Sequence, residues 1–458
     1  MPGPLSCLLL TAFSASVVEG AVGADGEVAA GRAPVALTGP EESALTFTVT
    51  PGVALRLRGA SDTLALSYTP RIFYRLPNEL DLNRPLVLHQ VALTEQSEIG
   101  RRVNWASAAQ LSIGELDYTA SGAVFGQSTP AGAAPGAPAG APASSVLRTS
   151  VADILRAEGQ TGLKIDLSRR LSMSLDVSGE YTTPLGENTA VPIDTGAPVP
   201  PGEPPPELTV VGPAVPESAQ ISTAAGFSYD VSRYDHLGAA AEVTYQWFPD
   251  TGIYLSLNPE VSWQTQLSQR TTFDVSAGFA YVITLEANPG FDDDNSIGGT
   301  GSFNLSSVAH KSRNVRVSTS VGASLDWYFD PLAGTSQPRA GVDVGTNIEI
   351  GRDWFINPNA AFYATIREGR EAVMGTDAEG NPVGIAVYPD ATMLRAELPF
   401  SYNLSRAMSL SFGGRATLRG RALTDEGFSM TEQYEFWAFL GLTVRFATGH
   451  EDPSWLGL

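Results

Sequence analysis

Lysine occurs only twice in this chain, at Lys164 and Lys311, and cysteine once, at Cys7; histidine occurs at His89, His236, His310 and His450. Each scarcity closes a class of function. With 28 Lys and Arg against 49 Asp and Glu, the formal charge is −21, and no basic face exists to neutralise phosphates, which excludes nucleic acid as a partner. A single cysteine forms no intramolecular disulfide. The histidines include no pair at metal-ligand spacing, and no G-x-S-x-G nucleophile elbow occurs, so neither a metal, a cofactor nor an enzymatic role is expected. The run Asp292-Asp293-Asp294-Asn295-Ser296 places Ile297 where an EF-hand calcium loop requires glycine, and reads as a solvated acidic loop. There is no stretch of about 18 apolar residues to make a spanning helix. Charged residues are only 17% of the 458, well below the roughly 25% of soluble domains.

What is there is alternation. Hydrophobic residues make up 43% of the chain, yet the mean hydropathy is −0.01, because apolar and polar residues take turns. Val315, Val317, Thr319, Val321, Ala323, Leu325 and Trp327 form one face of a strand whose other face is Arg316, Ser318, Ser320, Gly322, Ser324 and Asp326. Such segments run about fifteen residues from 43 to 447, whereas strands of soluble sheets cluster near five or six. Short polar turns at 168–170, 232–234, 268–270, 311–313, 351–353 and 405–407 alternate with mostly longer connections, Pro249-Asp250 being a short exception. Tyr181, Tyr245, Trp247, Trp327, Trp354 and Tyr434 lie near strand ends on apolar faces, where an interfacial girdle would sit. The pattern predicts an all-β fold: a single transmembrane antiparallel up-and-down β-barrel of 16–18 strands. Eighteen is favoured, with Arg32–Thr38 as a short first strand. A bulge near Gly114 is expected, because without one Glu115 faces lipid.

Flanking regions divide the chain further. Residues 4–18 (PLSCLLLTAFSASVV) resemble the apolar core of a secretory signal peptide, with cleavage expected near Gly23 or Ala24. That makes 1–24 a leader, 25–42 a periplasmic segment or short first strand, 43–447 the barrel and 448–458 a tail. The stretches 119–160 and 184–219 are rich in Pro, Gly and Ala and are expected to be surface loops. Within the first, Leu147, Val151, Ile154 and Leu155 fall at helical spacing, which predicts a short amphipathic helix over 145–157.

Alternation also assigns charges to the face opposite lipid, since an arginine on the lipid face costs about 2–4 kcal/mol at the midplane. The expected pore-lining residues are Arg56, Arg71, Asp176, Glu180, Glu242, Glu260, Asp274, Arg316, Asp326, Asp343, Arg367, Arg395, Glu397, Arg415, Arg419, Glu435 and Arg445. Acids dominate 161–286 and arginines dominate from 313 round to residue 75, so an acidic wall is expected to face an arginine-rich one. A barrel of 16–18 strands has a backbone diameter of about 32–36 Å, too wide for side chains alone to fill.

From 43 to 447 the chain resembles bacterial outer-membrane β-barrel proteins. Segments such as Leu66-Ser67-Tyr68-Thr69-Pro70-Arg71 and Ile113-Gly114-Glu115-Leu116-Asp117-Tyr118 are similar in style to barrels of myxobacteria and other high-GC bacteria. The resemblance implies a porin-like channel passing hydrophilic solutes through a charged, water-lined lumen. Alternative implications are a barrel of a surface or exopolysaccharide export machinery, with lumen aromatics such as Tyr254, Tyr328, Tyr363, Trp437 and Phe439 stacking on sugars, and a non-conducting structural or adhesin barrel. Implied partners are outer-membrane lipid and lipopolysaccharide, with a periplasmic polysaccharide-export protein under the second reading.

Overall fold

The computed structural model describes residues 17–34, 41–76, 84–117, 151–185, 191–193, 208–210, 217–249, 252–287, 295–330, 335–365, 373–376, 382–385, 392–420 and 433–447. Twenty strand segments hydrogen-bond into one sheet, and two pairs of them are single strands interrupted at a proline, so the sheet is an eighteen-stranded closed barrel. In chain order the strands are β1 (Val17–Pro34), β2 (Glu41–Arg58), β3 (Asp62–Tyr68, resuming at Arg71–Leu76), β4 (Leu86–Ile99), β5 (Val103–Asp117) and β6 (Val151–Asp166). They continue as β7 (Leu171–Pro184), β8 (Ser218–Asp230), β9 (Asp235–Phe248), β10 (Gly252–Ser268), β11 (Thr271–Ala287) and β12 (Ser296–Lys311). The last six are β13 (Val315–Asp330), β14 (Thr335–Ile350), β15 (Trp354–Ile356, resuming at Asn359–Thr365), β16 (Thr392–Asn403), β17 (Met408–Gly420) and β18 (Gln433–Ala447). Each strand pairs antiparallel with its neighbours in sequence, and β1 pairs with β18 to close the ring. Two small hairpins, Val191–Ile193 with Leu208–Val210 and Val373–Thr376 with Pro382–Ile385, stand outside the barrel sheet.

The interruptions have a local cause. Pro70 and Pro358 have no N–H to give the ladder, so pairing breaks there while the chain continues in the same direction. Backbone bonds from Thr69 N to Gln90 O at 2.9 Å and from Thr346 N to Pro358 O at 2.9 Å carry the sheet across both gaps.

Eight connections, from β2–β3 to β16–β17, are tight and lie at the end that also holds the start of β1 and the end of β18. Most of these turns are organised by a serine whose hydroxyl accepts backbone N–H bonds two or three residues on. Ser168 accepts from Arg170 and Leu171, Ser232 from Tyr234 and Asp235, Ser268 from Arg270, Ser312 from Val315, and Ser405 from Ala407. Two turns use glycine with positive φ instead, Gly100 at 71° and Gly351 at 69°. In the Ser232 turn, Asp235 also accepts from Ser232 Oγ and Thr265 Oγ1 at 2.7 Å each.

The sheet is apolar outside and polar inside. Val261, Leu440 and Phe446 are 61%, 55% and 57% exposed. On β7–β9 the outward Tyr181, Tyr245 and Trp247 form a cluster toward the long connections, and Trp354 opposite Tyr402 lies at the tight-turn end. No helix among the described residues is long and apolar enough to cross a membrane; this chain crosses with strands.

Three expectations need revision. The helix over 145–157 is not formed where the structure is described: Val151–Asp166 is β6, paired along its length with β5 and β7. A helix that short is marginal alone, whereas the strand satisfies its backbone on both sides. Residues 145–150 lie outside the described residues. The first strand is Val17–Pro34, not Arg32–Thr38, and it runs through the expected cleavage point at Gly23 or Ala24. No bulge occurs at Gly114, whose pairing with Leu88 and Ile154 is in register; its φ is 132°, and the next residue, Glu115, is held by the Arg84 guanidinium, with one bond at 2.6 Å.

Candidate functional site

The inner face is the surface with chemistry on it. Cross-strand partners share a face, so the register fixes which residues point inward together. It places Arg56, Arg71, Asp176, Glu180, Glu242, Glu260, Asp274, Arg316, Asp326, Asp343, Arg395, Glu397, Arg415, Glu435 and Arg445 on the side opposite the apolar wall, with Arg419 at an inward position too. Arg367 lies outside the described residues, as do Asp292–Asp294.

The arginine-rich wall is more nearly neutral than its sequence suggests. β1 brings Glu19, Asp25 and Glu27 into it, and all three are engaged. Arg56 Nε donates to Glu19 Oε2 at 2.6 Å, Thr443 Oγ1 to Asp25 Oδ1 at 2.5 Å, and Arg415 Nη2 to both Glu27 oxygens at 2.9 and 3.0 Å. Arg395 Nε donates to Glu397 at 2.9 Å. Arg316 stands opposite Glu349 and Asp326 opposite Arg339. Arg58, Arg71, Arg75 and Arg445 are engaged by neighbouring groups as well.

The acidic wall is built differently. Asp176, Glu242, Glu260 and Asp274 project from β7, β9, β10 and β11, and among the described residues none of them makes an ion pair. Their inward neighbours are uncharged: Asp176 sits between Gly162 and Ala224, Glu242 between Ala224 and Asn258, Glu260 between Ala240 and Gly278, and Asp274 between Gln264 and Asn304. The Asp176 carboxylate lies over Gly162, where a Cβ would have to displace it. On β12–β14 the inward positions include Ser302, Asn304, Ser306, Ser318, Ser320, Gly322, Gly341 and Gly345, interspersed with the charged Arg316, Asp326, Arg339, Asp343 and Glu349.

Two inward groups escaped the sequence reading: the β1 carboxylates and the Arg156–Glu158 pair on β6. Arg156 Nε lies 2.5 Å from Glu158 and 3.0 Å from Glu180, bridging two carboxylates on adjacent strands. The signal was present in each case. Glu19, Ala21, Gly23, Asp25 and Glu27 alternate with Val18, Gly20, Val22, Ala24, Gly26 and Val28, and Ile154, Arg156 and Glu158 alternate with Leu155 and Ala157.

The aromatics divide. Tyr254 is 1% exposed and packs with Phe248 and Val282, so it presents no ring to the lumen. Phe439 lies beneath the Arg415 guanidinium at 4.9 Å, and Tyr363 near that of Arg339 at 6.0 Å. The side chain of Tyr328 lies outside the described ones. His89 Nδ1 is 2.8 Å from the Tyr68 hydroxyl, with the rings stacked, and His236 Nδ1 is 2.5 Å from Asp230 Oδ1 beside a tight turn.

An apolar exterior, a charged interior and a sheet without free edges are the combination a bilayer demands. The chain is a transmembrane β-barrel of the outer-membrane type. No family model and no curated protein matches it. Among solved structures it is similar to OccK11 (OpdR) of Pseudomonas aeruginosa, at 10% identity over 94% of this chain and 96% of that one, with a TM-score of 0.40. It is also similar to OccAB4 of Acinetobacter baumannii, at 11% identity over 94% and 99% with a TM-score of 0.40. The FrpB iron transporter of Neisseria meningitidis (F5-1 variant) aligns at 8% identity over 96% and 83%, with a TM-score of 0.45. The likeness is one of barrel architecture.

Proposed function

We propose that the barrel is a bacterial outer-membrane channel passing hydrophilic solutes, with a preference for cations. The observation that carries this reading is the contrast between the two inner walls. Arg56, Arg395 and Arg415 are held by carboxylates, whereas Asp176, Glu242, Glu260 and Asp274 face only uncharged cross-strand neighbours, Gly, Ala, Asn and Gln, and make no ion pair among the described residues. Eighteen strands at about 4.8 Å spacing and about 40° tilt enclose a ring about 36 Å across, and small inward side chains leave room for water. Uncompensated carboxylates in a lumen with low-dielectric walls concentrate cations and repel anions. Purified protein in planar bilayers should give ohmic conductance, with a reversal potential in a KCl gradient on the potassium side. Silent membranes across many verified insertions, or preference for chloride, would refute the proposal.

A further inference from the structure

One stretch of the inner wall belongs neither to the arginine-rich seam nor to the isolated acids. Gln110 of β5 is directly opposite Glu158 of β6, Glu158 opposite Glu180 of β7, Glu180 opposite Gln220 of β8, and Gln220 opposite Gln246 of β9. Five successive strands thus present a carboxylate or primary amide in one cross-strand row, about 19 Å long at ~4.8 Å per strand. The amides are linked to their surroundings: Gln246 Nε2 donates to Gln220 Oε1 at 3.2 Å, Gln220 to Ser222 Oγ at 3.4 Å, and Gln110 to Ser112 Oγ at 3.4 Å. The adjacent row is Gln160, Ser178, Ser222, Thr244 and Ser256, with Ser222 and Thr244 hydroxyls 2.7 Å apart. Arg156 holds both carboxylates from the other side.

We infer that this row is a binding track for a polyhydroxylated solute, an oligosaccharide; the inference rests on the channel reading and names its solute class. Planar amide and carboxylate groups offer donors and acceptors in pairs, the geometry that grips vicinal hydroxyls. Arg156 offsets one of the two carboxylate charges, so the row is not built for a polycation, and the remaining acid disfavours anions. The strand spacing is close to the rise of one pyranose unit, which lets successive rings meet successive strands. The groups are only partly buried, so each bond competes with water and binding stays weak enough for release, as transit requires.

The test uses the whole barrel in planar bilayers, with maltohexaose, a polyethylene glycol of matched size and spermidine as probes, beside calorimetry of maltohexaose on the wild-type barrel in detergent. Maltohexaose should reduce the current at about millimolar concentration and release heat, and the matched polymer should require at least about tenfold more. Gln220→Ala with Gln246→Ala should raise the half-blocking concentration of maltohexaose about tenfold relative to wild type. Equal block by sugar and polymer, block by spermidine without block by maltohexaose, or no heat from the wild type would overturn the track. Silent bilayers together with maltohexaose heat would refute the channel while supporting the track, so the two failures are distinguishable.

Discussion

Arg415 on β17 reaches past β18, over the ring of Phe439, to donate to both carboxylate oxygens of Glu27 on β1 at 2.9 and 3.0 Å. The pair stitches the closing seam from inside, joining residues 388 positions apart. Its side chains are 31% and 28% exposed, so solvent screening limits its worth to about 1 kcal/mol. Arg415→Ala should lower the stability of the barrel by about 1–2 kcal/mol, part of it from lost packing on Phe439. A double-mutant cycle with Glu27→Gln, read by urea unfolding in lipid bilayers, should return a coupling of about 0.5–1 kcal/mol. Strict additivity would mean that the pair does not form.

A second expectation concerns processing. β1 supplies Glu19 to Arg56 and pairs from Val17 onward with Arg58, so a barrel beginning at residue 24 or 25 would lose that contact and part of the wall. The N-terminus of protein recovered from outer membranes should therefore lie at or before Val17, as intact mass reads directly. A start at residue 24 or 25 in a folded barrel would contradict the structure at that strand.

Gly322 gives a third. The Asp343 carboxylate lies flat on this glycine from the neighbouring strand, and a Cβ there would collide with it. Gly322→Ala must swing the exposed Asp343 carboxylate away, at a cost of at most about 1 kcal/mol. Unfolding in urea should show that loss, while Gly322→Ala with Asp343→Ala should recover most of it. Failure of the double variant to recover would mean that the alanine strains the backbone instead.

The barrel was legible because alternation over long segments is a strong signal, and tight turns opening on serine punctuate it. Legibility failed where two patterns competed for the same residues. In Val17–Pro34 the small Gly and Ala positions of a strand match the small-residue end of a signal peptide, so Glu19 falls in the expected leader and Asp25 and Glu27 in the segment before the expected barrel. In Val151–Asp166 the apolar Val151, Ile154 and Leu155 fit helical spacing, whereas alternation puts Ile154 on the opposite face from Val151 and Leu155, and only pairing with β5 and β7 decides for the strand. Both ambiguities fall on inner-wall charges, so the arginine wall looks more positive in the sequence than in the barrel. The amide row could not be found from one strand at a time, because it exists only once the register of five strands is known.

The central claim is that uncompensated carboxylates on one wall set the ion preference of an open lumen. Its most direct test is the reversal potential across a planar bilayer in a KCl gradient, comparing wild type with Asp176→Asn, Glu242→Gln, Glu260→Gln and Asp274→Asn combined. These changes keep side-chain volume, so the barrel should fold and conduct, and its preference for potassium over chloride should fall toward that of bulk solution. An unchanged reversal potential in a conducting, folded quadruple variant would contradict the account.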